Sequence, residues 1–323
     1  MMECKKALSS PEVNNDIELA KEWLRKHGSA KALSKVAGRE AHEGLIGLHI
    51  ITPEVGQHNH HGSPAAAALV KVSSETDFAS RSTVFSNFVQ EVAIAAATSS
   101  TSSSIGTNDK DNTNEQLHDI PTFLTSATTT SGKTLHESLN DAILAIRENL
   151  SIDTISVLKA SSPSSASSGS QQQPSTVVFG GYVHGKVAPD INCGSAAAVV
   201  ELEATNENID TATIQEAAKK LAMHIVAAKP LYINIESVPP EVVQKEKEIL
   251  LSKMELEATA GKKKQTSPEI QEKILTGQLR KYYESVCLIE QSHMVEEGNP
   301  KVSKVLQPLG LAVKNFRLMS MIK

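Results

Sequence analysis

The stretch Ala66-Ala67-Ala68-Leu69-Val70-Lys71-Val72-Ser73-Ser74-Glu75-Thr76-Asp77-Phe78 passes from a nearly unbroken apolar run into a short polar break. The run is brief and carries β-branched residues, which reads as a strand. Beyond the break, Phe85, Phe88, Val89, Val92, Ala93 and Ala96 fall at offsets 0, 3, 4, 7, 8 and 11, one apolar stripe of a helix. Upstream, Leu45-Ile46-Gly47-Leu48-His49-Ile50-Ile51 supplies another strand, and the Gly-, His- and Pro-rich stretch between the two suggests a hairpin. The segment therefore predicts a small antiparallel sheet with a helix laid on one face.

The same order recurs. Val178-Phe179-Gly180-Gly181-Tyr182-Val183-His184 is followed by a turn region and by Ser195-Ala196-Ala197-Ala198-Val199-Val200-Glu201-Leu202. Ile214, Ala217, Ala218, Leu221, Ala222, Ile225 and Ala228 then repeat the helical stripe at offsets 0, 3, 4, 7, 8, 11 and 14. This predicts an α+β fold with an internal duplication: a small N-terminal helical module, then two antiparallel-sheet-plus-helix subdomains.

In the N-terminal module Asn14, Asn15 and Asp16 precede Ile17, Ala20 and Leu24 at helical spacing, and Gly28 is expected to stop that helix. A second short helix would carry Ala30, Leu33 and Ala37. The Ser/Thr-rich tract 98–116 and the Ser/Gln-rich tract 161–175 cannot bury enough apolar surface to order themselves and read as disordered insertions. After Pro239-Pro240, the charged stretch 241–259 carries Val242, Ile249 and Leu256 at seven-residue spacing. Ser267-Pro268-Glu269 opens a further helix running to about Tyr283. A lysine-rich turn would join these two as an antiparallel hairpin. Final strands are expected at 285–289 and 315–322. The expected organisation is thus 1–37 helical module, 38–160 first subdomain with its insertion near 98–116, 161–175 linker, and 176–323 second subdomain including the helical hairpin 241–283.

Composition narrows the function. Hydrophobic residues make up 40% and charged residues 21%, ordinary for a globular chain, while aromatics reach only 3%. A formal net charge of −5 gives no basic footprint for nucleic acid. Cys4, Cys193 and Cys287 lie far apart, which argues against a disulfide framework or a zinc site and fits a reducing interior. Apolar runs such as that around Ala93 to Ala97 are too short to span a bilayer, and no cleavable signal is expected.

Three places could carry chemistry. Ala127-Thr128-Thr129-Thr130-Ser131-Gly132-Lys133-Thr134 formally matches a relaxed phosphate-binding loop, which raises an NTPase acting through Gly132-Lys133-Thr134. The first glycine is replaced by Ala127 and the lead-in contains Pro121, so Ser131 or Thr134 as the cap of a helix bearing Leu139, Ile143, Ile146 and Leu150 is the better reading. His58, His60 and His61 sit at the expected hairpin tip without further ligands at a supporting spacing, so no metal site is expected. Thr76-Asp77-Phe78 has two readings. Thr76 or Asp77 caps a helix and Phe78 is tucked into the core, or the three form an acidic-aromatic tip that pushes into a partner.

These blocks resemble one family. Met1-Met2-Glu3-Cys4-Lys5-Lys6-Ala7-Leu8 with Asn15-Asp16-Ile17-Glu18-Leu19-Ala20 is similar to the N-terminal, ubiquitin-associated-like module of elongation factor Ts. Glu75-Thr76-Asp77-Phe78-Ala79-Ser80-Arg81, with Phe85 following, resembles its signature. Ser131-Gly132-Lys133-Thr134 with Glu148-Asn149-Leu150, Ala222-Met223-His224-Ile225-Val226-Ala227-Ala228-Lys229-Pro230, and Gly277-Gln278-Leu279-Arg280-Lys281-Tyr282-Tyr283 resemble later blocks, in the family's order.

The resemblance implies a guanine-nucleotide exchange factor of translation elongation rather than an enzyme, with elongation factor Tu as partner and no cofactor, metal, direct nucleic-acid or membrane contact. It implies that Thr76, Asp77, Phe78 and Ala79 disturb the partner's Mg²⁺ and phosphate site. By the same likeness Met1 and Met2 touch its nucleotide-binding domain, His184 in Tyr182-Val183-His184-Gly185 contacts a second domain, and the helical hairpin projects as a coiled coil. Two departures stand out. The sequence opens at what resembles the second helix of a three-helix module, and Ile152-Asp153-Thr154-Ile155 stands where the family often has an arginine pair. The Ser/Thr/Gln-rich insertions point to an organellar member, in the mitochondrion, with a plastid or a bacterial cytoplasm as alternatives. A ubiquitin-associated-type adaptor acting through residues 1–37 is the remaining competitor.

Overall fold

The computed structural model describes residues 2–36, 38–52, 65–102, 114–116, 119–160, 176–204, 210–259 and 268–321. At the N-terminus, α1 (Met2–Leu8) packs on α2 (Ile17–Val36) around Ala7, Val13 and Ala20, with Leu8, Trp23 and Leu24 alongside. Asp16 caps α2, its Oδ1 accepting from the N–H groups of Glu18 (2.8 Å) and Leu19 (3.1 Å). The expected stop at Gly28 is wrong, since α2 runs unbroken through it for 20 residues. A helical glycine costs about 1 kcal/mol relative to alanine but blocks nothing, and no proline follows it. The left-handed residue beyond the helix is Gly38, at φ 84°.

The hairpin is present. β1 (Glu43–Ile51) pairs antiparallel with β2 (Ala66–Ser74), Leu45 opposite Val72 and Leu48 opposite Leu69. The connecting residues 53–64, with His58, His60 and His61, lie outside the described residues. After β2 come α3 (Asp77–Ser80), α4 (Thr83–Ser102), β3 (Asn114–Gln116), α5 (Ile120–Ser126), α6 (Leu135–Ile146) and β4 (Leu150–Lys159). The sheet runs in the order β3-β4-β2-β1, completed on the far side of β1 by β6 (Cys193–Gly194), which β5 (Thr176–His184) precedes in the chain.

Sequence reading misses β4, and its place explains the pattern of β2. With β1 on one side and β4 on the other, β2 is an inner strand, so its residues are buried almost without alternation. The α4 stripe then seals the sheet through Phe85, Phe88, Val89, Val92 and Ala96, all buried.

The tract 98–116 is also corrected in part. α4 extends to Ser102, with Thr98 Oγ1 donating back to the Ile94 carbonyl (2.8 Å) and Ser99 Oγ to that of Ala96 (3.2 Å). Residues 114–116 pair with β4 as an edge strand. The rest of that tract, and all of 161–175, lie outside the described residues.

The second sheet has the order β5-β7-β8, from β5, β7 (Ala196–Ala204) and β8 (Leu311–Ser320). Its helix is α7 (Thr211–Ala228), which buries Ile214, Ala218, Leu221, Ala222 and Ile225 against Val178, Val200 and Leu202. Each sheet meets its helix over a glycine. A Cβ built on Gly47 would press on Val89 of α4, and one on Gly180 would fall inside Ala218 of α7. The repeat of sheet, glycine and helix supports the duplication.

α8 (Pro240–Thr259) and α9 (Pro268–Val286) form the expected helical pair, their joining turn lying outside the described residues. The strand expected at 285–289 does not form. α9 continues through Val286, Leu288–Glu290 is a tight 3₁₀ turn, and only an isolated bridge joins Cys287 to Tyr232. Leu288 is buried in the second core, so the segment's apolar content serves an anchor rather than a ladder. α10 (Val302–Leu306) leads into β8.

By its internal packing the chain divides into two units. One is Met1–Lys159 with Val183–Ala197 and Met319–Lys323; the other is Ala160–Tyr182 with Ala198–Leu318. Among the described residues no helix is long and apolar enough to cross a membrane.

Candidate functional site

Where β2 ends, the chain makes a single helical turn before α4. Thr76 is extended at φ −126° and ψ 157°, and its Oγ1 accepts from the Ala79 N–H (3.3 Å), the hydrogen bond of an N-cap. Ser80 Oγ donates to the Asp77 carbonyl (2.8 Å), and Ser82 Oγ accepts from Phe85 N–H (3.2 Å), which starts α4 directly behind the turn. Ala79 and Ser80 are the turn's buried side.

Phe78 is its outward side, and here the expectation of a core phenylalanine fails. Phe78 is 83% exposed, whereas the other five of the six phenylalanines, Phe85, Phe88, Phe123, Phe179 and Phe316, are at most 8% exposed. A turn of four residues, with Ala79 and Ser80 facing in, has no apolar slot left for Phe78. Asp77 is beside it, half-exposed, with Arg81 3.5 Å away as its i+4 neighbour. Thr76 is therefore the cap, and Asp77 and Phe78 stand exposed beside it.

Behind the tip lies a set of contacts with no local signal in the sequence. Glu148 Oε2 accepts from the Thr76 N–H (3.0 Å) and Oε1 from Thr76 Oγ1 (2.7 Å). In return, Glu75 Oε1 accepts from the Asn149 N–H (2.6 Å), and Arg39 approaches the same carboxylate at 3.4 Å. Asn149 Nδ2 donates to the Arg39 carbonyl (2.6 Å). Glu148 is aimed there because Arg147, the C-cap of α6, takes the left-handed conformation (φ 65°) and turns the chain back toward β2.

The other expected site residues are elsewhere. His184 ends β5 with its side chain exposed, its carbonyl accepting from Ser195 N–H at 2.9 Å. Met2 is the first residue of α1, and Met1 lies outside the described residues.

The phosphate-loop motif is a helix start. Thr134 and Glu137 form a capping box on α6, with Glu137 N–H donating to Thr134 Oγ1 (3.2 Å) and Thr134 N–H to Glu137 Oε2 (3.0 Å). The element before it is α5, not a strand, and Lys133 is engaged with Asp141 at 2.7 Å. A cavity of about 510 Å³ does border Thr128, Thr129 and Thr130, but Glu91 is its charged lining residue, the wrong sign for phosphate. Among the described residues no cluster of His, Cys, Asp and Glu could hold a metal ion. Cys193, buried in the first core, has its thiol pushed up to about 12 by desolvation, which makes it inert as a nucleophile.

Comparison with known proteins starts at this same turn. The family profile described as Elongation factor TS matches residues 75–321, opening on Glu75. Elongation factor Ts of Rhodospirillum centenum is 34% identical over 313 residues, covering 97% of this chain and 83% of that protein. Those of Paramagnetospirillum magneticum and Bartonella bacilliformis are each 33% identical, over 310 and 304 residues, covering 96% and 94% of this chain and 80% and 79% of theirs. With the tip, α4, the second sheet with its helix and the helical pair all inside residues 75–321, the chain belongs to the elongation factor Ts family.

Proposed function

We propose that this chain is a guanine-nucleotide exchange factor of translation elongation, which binds elongation factor Tu carrying GDP and speeds release of the nucleotide. The observation that carries the reading beyond family membership is Phe78, a large apolar side chain held out in solvent on a braced turn. Burying it in a partner would yield about 1.5–3 kcal/mol, which the free chain does not collect. In this reading Thr76, Asp77, Phe78 and Ala79 enter next to the partner's Mg²⁺ and phosphate site. Phe78 acts as the wedge, and the Asp77 carboxylate competes for metal-linked groups. His184 and the N-terminal helices, with Met1 and Met2, supply further contacts that hold the partner while the wedge acts. No bond is made or broken, so the chain is a binding protein and not an enzyme.

Exchange is a coupling between two ligands on the partner and must be reciprocal. Titration calorimetry of the chain with nucleotide-free and GDP-bound elongation factor Tu tests this. GDP is expected to weaken the chain's binding by the same factor by which the chain weakens GDP. Equal affinity for the two forms would sink the exchange reading. The relatives named above are bacterial, and the mitochondrial setting we propose rests on the Ser/Thr/Gln-rich tracts alone. Imaging of a tagged full-length product would decide it, a diffuse cytoplasmic signal counting against an organelle.

A further inference from the structure

Resting on the wedge reading, we infer that Glu148 is a positioning residue for exchange, the keystone of a reciprocal clamp between two loops that holds Phe78 in its projecting pose. The clamp is built from residues far apart in the chain. Glu148, just after α6, takes both the N–H and the hydroxyl of Thr76, 72 positions earlier, while Glu75 takes the N–H of Asn149, 74 positions later. Arg39 closes it from a third segment, 110 positions from Asn149, through the Asn149 side chain and the Glu75 carboxylate.

Three facts give this clamp control over the tip. First, α3 has only four residues, too few to hold a helical turn by its own hydrogen bonds. Second, Phe78 is 83% exposed, so no packing of its ring fixes where it points. Third, Thr76 Oγ1 is shared, donating to Glu148 while accepting from Ala79 N–H, so the carboxylate sets the orientation of the group that caps the turn. The direction of the ring is thus inherited from the backbone of residues 76–79, whose Thr76 end Glu148 fixes while Ser74 Oγ holds the Thr76 carbonyl (3.1 Å) and Ser80 Oγ that of Asp77. Such a residue acts on how fast the wedge works once the partner is bound, rather than on whether the partner binds.

The test is a cycle of variants read by release of fluorescent GDP from elongation factor Tu, at a series of factor concentrations. Glu148→Ala is expected to lower the maximal rate about tenfold while changing the half-saturating concentration by less than about threefold. In a Phe78→Ala background the same change is expected to cost less than about twofold, because the group it positions is gone. Glu148→Gln, which keeps one acceptor oxygen, is expected to fall between parent and alanine. Thr76→Val, which removes the hydroxyl but keeps the N–H that Glu148 also holds, should make the further effect of Glu148→Ala smaller than in the parent.

If Phe78→Ala is slow but Glu148→Ala is as fast as the parent, the clamp proposal fails and the wedge stands. Equal losses from Glu148→Ala in both backgrounds would mean that it acts by some route other than Phe78, which also overturns the clamp. If Phe78→Ala exchanges like the parent, the wedge reading itself is lost, and the clamp with it.

Discussion

Three neighbouring side chains show how one short sequence divides its work. Thr76 satisfies the helix start, Ala79 faces the core, and Phe78 faces out. A cap at this break was legible in the sequence, which left Thr76 and Asp77 as candidates, and the structure selects Thr76. The outward ring was not, since burial of a single aromatic depends on the length of the turn and on what lies beneath it. The clamp behind the turn was illegible for a different reason: Glu75, Glu148, Asn149 and Arg39 meet only after β4 is laid beside β2. A contrasting residue is Thr134, which the sequence offered with Ser131 as the cap of α6 and which the structure selects. Thr134→Ala is expected to cost about 1 kcal/mol of stability through loss of the capping box, read as a shift in the urea midpoint. It should leave GDP release from the partner unchanged. Loss of an intrinsic GTPase activity in Lys133→Ala would contradict this and revive the phosphate-loop reading.

Helices and strands were read well where their period was strong and poorly where neighbours decided. The α4 and α7 stripes stood out at 3.6-residue spacing, whereas β4 alternates only loosely and became a strand because β2 needed a second partner. Gly28 misled because a glycine permits a stop without imposing one. Gly180 is the opposite case, required by the approach of α7. Gly180→Ala forces β5 and α7 apart and is expected to lower stability by about 1–3 kcal/mol, seen as a lower melting temperature. An alanine variant that melts with the parent would show that the contact is looser than drawn.

A further element-level constraint joins α7 to the segment after α9. His224 and His293 stack at 5.1 Å, and both are buried. His224 Nε2 lies 3.0 Å from Gln291 Oε1, while its Nδ1 accepts from Met294 N–H at 3.2 Å. That pairing requires the neutral ring with its proton on Nε2. His293 Nδ1 accepts from Val295 N–H (3.2 Å), so it too must be neutral there. Burial first, and then the neighbouring His224, push His293 down to about 4, against the upward pull of nearby Glu296; Lys220, paired with Glu296, adds to the lowering. Desolvation also lowers His224, partly offset by Gln291. The unfolded chain therefore takes up protons below pH 6.5 that the folded chain refuses. This contribution is complete above pH 6.5 and is lost as pH falls toward 4, on the order of 2–3 kcal/mol for His293. Melting curves at pH 7.5, 6 and 5 should show the decline, and His293→Gln should flatten it. A parent melting temperature that holds constant over that range would contradict the assignment.

At the scale of the whole molecule, the function we propose asks the chain to direct its binding energy at one place. The α+β class and the paired sheet-and-helix units followed from composition and period. What the units hold out toward a partner did not, because exposure is set by the finished fold. Each tenfold faster release takes about 1.4 kcal/mol from the barrier, so a thousandfold effect needs about 4 kcal/mol. In the proposed mechanism, burial of Phe78 and loss of contacts to the partner's metal would together be of that size. The measurement that tests this most directly is stopped-flow release of fluorescent GDP from elongation factor Tu, with and without the chain, beside Phe78→Ala. The account predicts strong acceleration by the parent and at least a tenfold slower maximal rate with the variant. Equal acceleration by both, or none by either, would contradict it.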